Sequence, residues 1–194
     1  MKSITSWLER KLFLKVSATK TKVVNPKYGQ FLGFTFWKST KGWKCRPTHD
    51  RKMRLYSKIR LWLKRKHAVA RPTKVTLIKV NQIVRGWINY FRIGNIKYFL
   101  TIFGRWLRHK IRCIIIKQWK RPKTIYKNLM NMNKKFKCNF SHEDIYKCAN
   151  SRLGWYGKST GNVVNYILNP KVLGIKIEDK PGLVNPLDYY LNSL

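Results

Sequence analysis

Asn81, Arg85, Asn89 and Arg92 recur at intervals of four, four and three in the stretch NQIVRGWINYFRIGN, residues 81–95. On a helix those intervals gather planar amide and guanidinium groups on one face. Ile83, Val84, Trp87, Ile88 and Phe91 fall along the other. One face can pack while the other offers bidentate hydrogen bonds to an acidic partner. Arg105, Arg108, His109 and Arg112 form a second stripe at i, i+3, i+4 and i+7, a spacing that suits a row of phosphate contacts. Gly86 sits mid-helix, where it costs about 1 kcal/mol relative to Ala. That cost predicts that another backbone approaches there. On periodicity alone, a solvated basic face explains residues 81–95 better than a binding site does.

The acidic residues limit the chemistry further. There are seven, and only Glu9 and Asp50 lie in residues 1–120. Metal-assisted phosphoryl transfer needs carboxylates that clamp two ions together. Glu143–Asp144 and Glu178–Asp179 are adjacent pairs, and adjacent residues on a helix point apart, so both read as solvated. Cys45, Cys113, Cys138 and Cys148 include no CxxC pair, and Cys138, His142 and Cys148 fit no usual zinc spacing. The thiols read as structural, with no metal site, in a reducing compartment. The start, MKSITSWLERKL, reads as an amphipathic helix rather than a signal peptide. No apolar run approaches the length of a membrane span, so no membrane partner is expected.

The charge is the outlier. The chain of 194 residues carries 43 Lys+Arg against 7 Asp+Glu, a formal net charge of +36. Self-repulsion at that level opposes a compact state unless polyanions screen it, and nucleic acid is the usual screen. Residues 1–120 hold 31 of the basic side chains, so the main polyanion contact is expected there. Lys58 and Lys64 belong to its densest run, residues 51–66, around the apolar positions Leu55, Ile59, Trp62 and Leu63. Trp43, Tyr90, Tyr98 and Trp106 are aromatics that either join the core or stack on splayed bases.

These residues must be carried by a mainly α fold. Helices are expected over residues 2–14, 51–66, 76–93 and 97–119. Asp50 is the expected cap of the second, and Gly94 and Asn95 the stop after the third. Short strands are expected at 13–16 and 22–24. A hairpin of 31–37 and 43–46 is expected around a loop of about five residues. The predicted architecture is a three-helix bundle over residues 48–120. It is preceded by a small α+β segment, 1–47, of one helix and a hairpin, and followed by a small mixed basic region, 121–194. In that region Pro122 breaks the chain, 125–132 reads as helical, and Ser141 caps a helix with Asp144 three residues on.

The string RGWINYFRIGN resembles the signature of the maturase-specific domain of group II intron reverse transcriptases, which forms the thumb after the polymerase palm. FLGF at Phe31, Leu32, Gly33 and Phe34 resembles the palm's primer grip, and residues 20–24 its preceding Lys-rich strand. ANSRLGWYGKS resembles the SRKGYWR-like block of the family's DNA-binding region at Ser151, Arg152, Gly154, Trp155 and Tyr156. Gly157 stands where the family has Arg, and residues 175–181 depart from the pattern. The resemblance implies a palm remnant in 1–47, a thumb bundle in 48–120 and a DNA-contacting C-terminal region. It implies RNA contact by Arg85, Asn89, Arg92, Arg105, Arg108, Arg112, Lys58 and Lys64. It makes Gly86, Trp87, Tyr90 and Phe91 the packing part of the signature. It assigns nucleic-acid contact in the C-terminal region to Ser151, Arg152, Trp155 and Tyr156.

The family's polymerase uses magnesium on a YADD-type turn, and no Asp pair occurs in this sequence. No catalytic residue and no cofactor are therefore expected, and the chain is not expected to be an enzyme by itself. The resemblance implies group II intron RNA as partner, then a DNA target and a separate chain with fingers and palm. It implies the bacterial cytoplasm, or alternatively an organelle. The expected function is clasping intron RNA and template–primer duplex in support of splicing and mobility. Its alternatives are half of a split reverse transcriptase, a general nucleic-acid binder, or an inactive remnant.

Overall fold

The computed structural model describes residues 2–17, 21, 23–175 and 182–193. The chain runs α1 (Lys2–Leu12), β1 (Gln30–Phe31), β2 (Phe34–Ser39), β3 (Gly42–Pro47), α2 (His49–Trp62), α3 (Arg65–Ala68), α4 (Thr73–Phe91) and α5 (Lys97–Trp119). The C-terminal part adds α6 (Pro122–Lys135), α7 (His142–Asn150), α8 (Trp155–Thr160), α9 (Asn162–Ile167), α10 (Pro170–Gly174) and α11 (Pro186–Leu191). The fold is mainly α with one small antiparallel sheet of order β1-β2-β3.

The apolar spacing of the long helices becomes one core. Leu55 and Ile59 of α2 meet Val80, Val84, Ile88 and Phe91 of α4 and Leu100, Phe103, Leu107 and Ile111 of α5. A fully buried Leu, Ile or Phe contributes about 1.5–3 kcal/mol, so this seam outweighs the helices' own weak propensities. The core does not stop after α5. Ile125 and Leu129 of α6, Ile145 of α7, Val164 and Ile167 of α9 and Tyr190 of α11 belong to the same cluster. Rings fill the seam's outer edge: Tyr56 lies 4.8 Å from Trp106, and Trp87 lies 5.1 Å from Phe99, centroid to centroid. Trp106 therefore serves mainly as core, while Trp43, Tyr90 and Tyr98 remain exposed.

Several local expectations are corrected. The hairpin loop is Thr40 and Lys41 alone, because Ser39 pairs with Gly42. The apolar run 31–37 is not one strand. It turns at Leu32 and Gly33, at φ 49° and 84°, and doubles back so that Phe31 faces Phe34. No strand forms at 13–16, and Val23 and Val24 are exposed and unstranded; Lys22 and residues 18–20 lie outside the described residues. Among the described residues neither segment pairs with the sheet, and β propensity without a partner strand does not hold a strand. The cap of α2 is Thr48, whose Oγ1 accepts from the Arg51 N–H at 3.4 Å. Asp50 sits instead in the first turn, where its charge favours the helix dipole. The helix stops at Trp62 rather than running to Lys66, and α4 starts three residues early, at Thr73 after Pro72. Ser141 caps α7 as expected: its hydroxyl accepts from the Asp144 N–H and donates to the Asp144 carboxylate at 2.6 Å.

Candidate nucleic-acid interface

A groove of about 470 Å³ runs between α2 and α4. Arg51, Arg54 and Lys58 line one wall, one helical turn apart, and Gln82, Gly86 and Tyr90 line the other at the same spacing. Leu55, Trp87 and Phe91 belong to its lining as well, and the buried Trp87 Nε1 has no hydrogen-bond partner. Gly86 is exposed, and a Cβ built there would meet nothing within 4 Å. The expectation of a backbone approaching Gly86 is therefore corrected: the missing side chain leaves the groove open. Three cations lie along one wall with no described ion pair among them, so the wall's charge is left uncompensated within the described residues.

The FLGF turn closes one end of this groove. The Tyr90 hydroxyl donates to the Leu32 carbonyl at 3.0 Å, and Phe34 packs edge-on against Phe91 at 5.0 Å. The Arg51 side chain lies directly over Gly33, where a Cβ would come within 2.7 Å of Nε. The positive φ favours glycine, and a side chain here would also have to displace the Arg51 side chain. Phe31 and Leu32 stay exposed on the turn. Lys52, on the other side of α2, has its pKa lowered by burial and then by Arg46.

The polar face of α4 is used differently from the expectation. Asn81 is buried; its Nδ2 donates to the Gly182 carbonyl at 2.7 Å and its Oδ1 accepts from the Val184 N–H at 3.0 Å. Asn89 Oδ1 accepts from the Tyr189 hydroxyl at 3.1 Å, and the Arg85 guanidinium lies 5.6 Å from the centre of the Tyr189 ring. Three of the four spaced residues therefore hold α11 or the segment leading into it. Arg85 and Asn89 keep exposed surface, and Arg92 is exposed at the end of α4. A single sequence offers no signal that two of these groups have partners a hundred residues away.

The stripe on α5 also divides. Arg105 is exposed. Arg108 is half-buried, with its pKa lowered by burial and then by Arg105, against an opposing pull from Asp188 on α11. Arg112 is corrected outright: it is buried and faces the protein, not solvent. Its Nε donates to the Leu168 carbonyl at 2.9 Å, its second nitrogen to Asn165 Oδ1 and its third to the Asn165 carbonyl at 3.1 Å. Burial, then Arg108, lowers its pKa to about 10. Helical periodicity places Arg112 on the stripe's face but cannot reveal that α9 covers the stripe's end.

Of the remaining candidates, Lys58 lines the groove, and Lys64 is exposed just beyond α2. Arg152 and Tyr156 are exposed; Ser151 and Trp155 are half-buried. Among the described residues, no three or more His, Cys, Asp or Glu side chains gather as a metal site. No helix among them is long and apolar enough to cross a membrane. The groove cations Arg51 and Arg54 stand out in sequence only as members of a basic run; the hairpin and α4 give them their place.

Residues 52–133 match the family model described as group II intron, maturase-specific domain. No curated protein matches the chain. The matched segment runs from the first turn of α2 almost to the end of α6. It contains both walls of the groove except Arg51.

Proposed function

We propose that this chain, whose residues 52–133 form a group II intron maturase-specific domain, clasps structured intron RNA in the groove between α2 and α4 and so supports splicing. The observation that carries the reading is the pairing of Arg51, Arg54 and Lys58 with an open floor at Gly86. A wall of uncompensated cations grips a phosphate backbone without reading sequence, as a protein that clamps a folded RNA requires. The exposed Phe31 and Leu32, tied to the groove through Tyr90, would touch the end of a template–primer duplex held there. A DNA target would be met by the exposed Arg152 and Tyr156.

The maturase-specific domain is not a polymerase's catalytic domain, and no aspartate pair for magnesium exists in the sequence. No polymerase step is therefore assigned to this chain. A second reading, half of a split reverse transcriptase, draws support from α1 and the segment after it. Trp7, Leu12, Phe13 and Leu14 are all at least half exposed, an apolar surface that a fingers-and-palm chain would cover.

The test is the rate of intron splicing at magnesium too low for efficient self-splicing. Added protein accelerates it if the chain is a maturase. No acceleration, with the RNA shown to be bound, contradicts the splicing role.

A further inference from the structure

A second cleft lies on another side of the bundle. It holds about 160 Å³ and is lined by Leu63, Trp106, Cys113 and Ile114 on the inside, with Arg60, Arg65, Lys110 and Tyr156 around them. Pockets that take drug-sized ligands start near about 300 Å³, so this one has room for a single flat ring system. Its charged groups are all cationic. Arg60 is held 5.9 Å from the Trp106 ring centre, and Lys110 is held 5.6 Å from that of Tyr156. The rings thus park two cations beside the opening, and no described ion pair involves Arg60, Arg65 or Lys110. Tyr156 is itself steadied edge-on by His109 at 4.3 Å, yet is 59% exposed.

We propose that this cleft between α2, α5 and α8 receives one unstacked nucleobase, whose flanking phosphates are taken by Arg60, Arg65 and Lys110. The proposal deepens the RNA-binding reading and rests on it for the strand-borne form of the ligand. A ring-sized, largely apolar interior with cations and a tyrosine about it suits a base with an attached phosphate better than an uncharged apolar ligand. No amide or carboxylate lines the cleft, and its arginines and lysine are assigned to the flanking phosphates rather than to the base's hydrogen-bonding edge. Recognition is by stacking and charge, tolerant of sequence. The same chemistry would accept a base in an RNA strand or a free nucleoside monophosphate.

The test uses the full chain, a short single-stranded RNA carrying one 2-aminopurine, the same RNA with that base removed, and AMP. On binding, the reporter base should be quenched. Tyr156→Ala should abolish the quench and weaken the base-containing RNA about tenfold, without changing its salt dependence, whereas Tyr156→Phe should behave as wild type. Arg65→Gln should lower the salt slope. The abasic RNA should bind wild type and Tyr156→Ala equally. Binding of AMP that depends on Tyr156 would support the cleft with a free nucleotide as its source. If wild type binds RNA while Tyr156→Ala changes neither quench nor affinity, the cleft proposal is overturned and the groove reading stands. If wild type binds no RNA at low salt, the groove reading falls, and only Tyr156-dependent AMP binding would keep the cleft.

Discussion

The hydroxyl of Tyr189 donates to Asn89 Oδ1 at 3.1 Å, joining two residues a hundred positions apart. This bond, with those of Asn81 to Gly182 and Val184, satisfies much of the polar face of α4 within the chain. The outward surface of the bundle is thereby shifted round α4 to Gln82, Gly86 and Tyr90.

Asn81→Ala should release the segment before α11. Removing the side chain leaves the half-buried Gly182 carbonyl and Val184 N–H without their partner, at up to about 1 kcal/mol each. Hydrogen exchange should accelerate at residues 183–190 while the amides in the middle of α5 stay protected. Unchanged exchange at 183–190 would show that apolar contacts such as Tyr190 hold the segment alone.

Arg112→Lys should destabilise the fold by about 2–3 kcal/mol, because an ammonium cannot reproduce three hydrogen bonds that diverge to Leu168 and Asn165. Chemical denaturation measures this. RNA affinity of the folded fraction should be unchanged, in contrast to a surface stripe residue.

His109 is half-buried on α5. Its Nδ1 lies 3.3 Å from Ser159 Oγ and its Nε2 3.6 Å from Cys113 Sγ, and burial, then Lys110 and Arg112, lowers its pKa. The unfolded state therefore takes up a proton more readily than the folded state. The resulting stability is present above the unfolded value of about 6.5 and is lost as pH falls below it. Melting temperature should drop between neutral pH and pH 5.5 in wild type, and the drop should be smaller in His109→Gln.

The long helices were legible because their apolar spacing is a local property: residues 97–119 are helical from end to end as the periodicity implies. Ser141 was legible for the same reason, since its partner Asp144 is three residues away. What the pattern could not show was which helical face another element covers. Arg112 and Asn81 sit on faces that read as solvated, and α9 and the approach to α11 close over them, while Asn89 stays exposed but bonds to Tyr189. Gly86 misled in the opposite direction: a helical glycine signals a close approach or an open space, and only the neighbouring helix decides which. The FLGF run reads as part of one strand, but its chain turns at Leu32 and Gly33, both at positive φ, a reversal that aromatic and β-branched content does not signal.

Gly86→Ala should raise stability by up to about 1 kcal/mol, since the new methyl meets nothing and the helix gains propensity. Gly86→Trp should also fold but fill the groove, and RNA binding should weaken. Equal RNA affinity for both variants would mean that the groove is not occupied by RNA.

The most direct measurement is the salt dependence of RNA binding by Arg54→Gln combined with Lys58→Gln, compared with wild type and with Arg112→Lys. Each phosphate contact removed should reduce the slope of log K against log salt by about 0.7–0.9. The groove account predicts a fall of about 1.4–1.8 for the double variant, with melting curves near wild type, and no fall for Arg112→Lys. A wild-type slope in the folded double variant would contradict it.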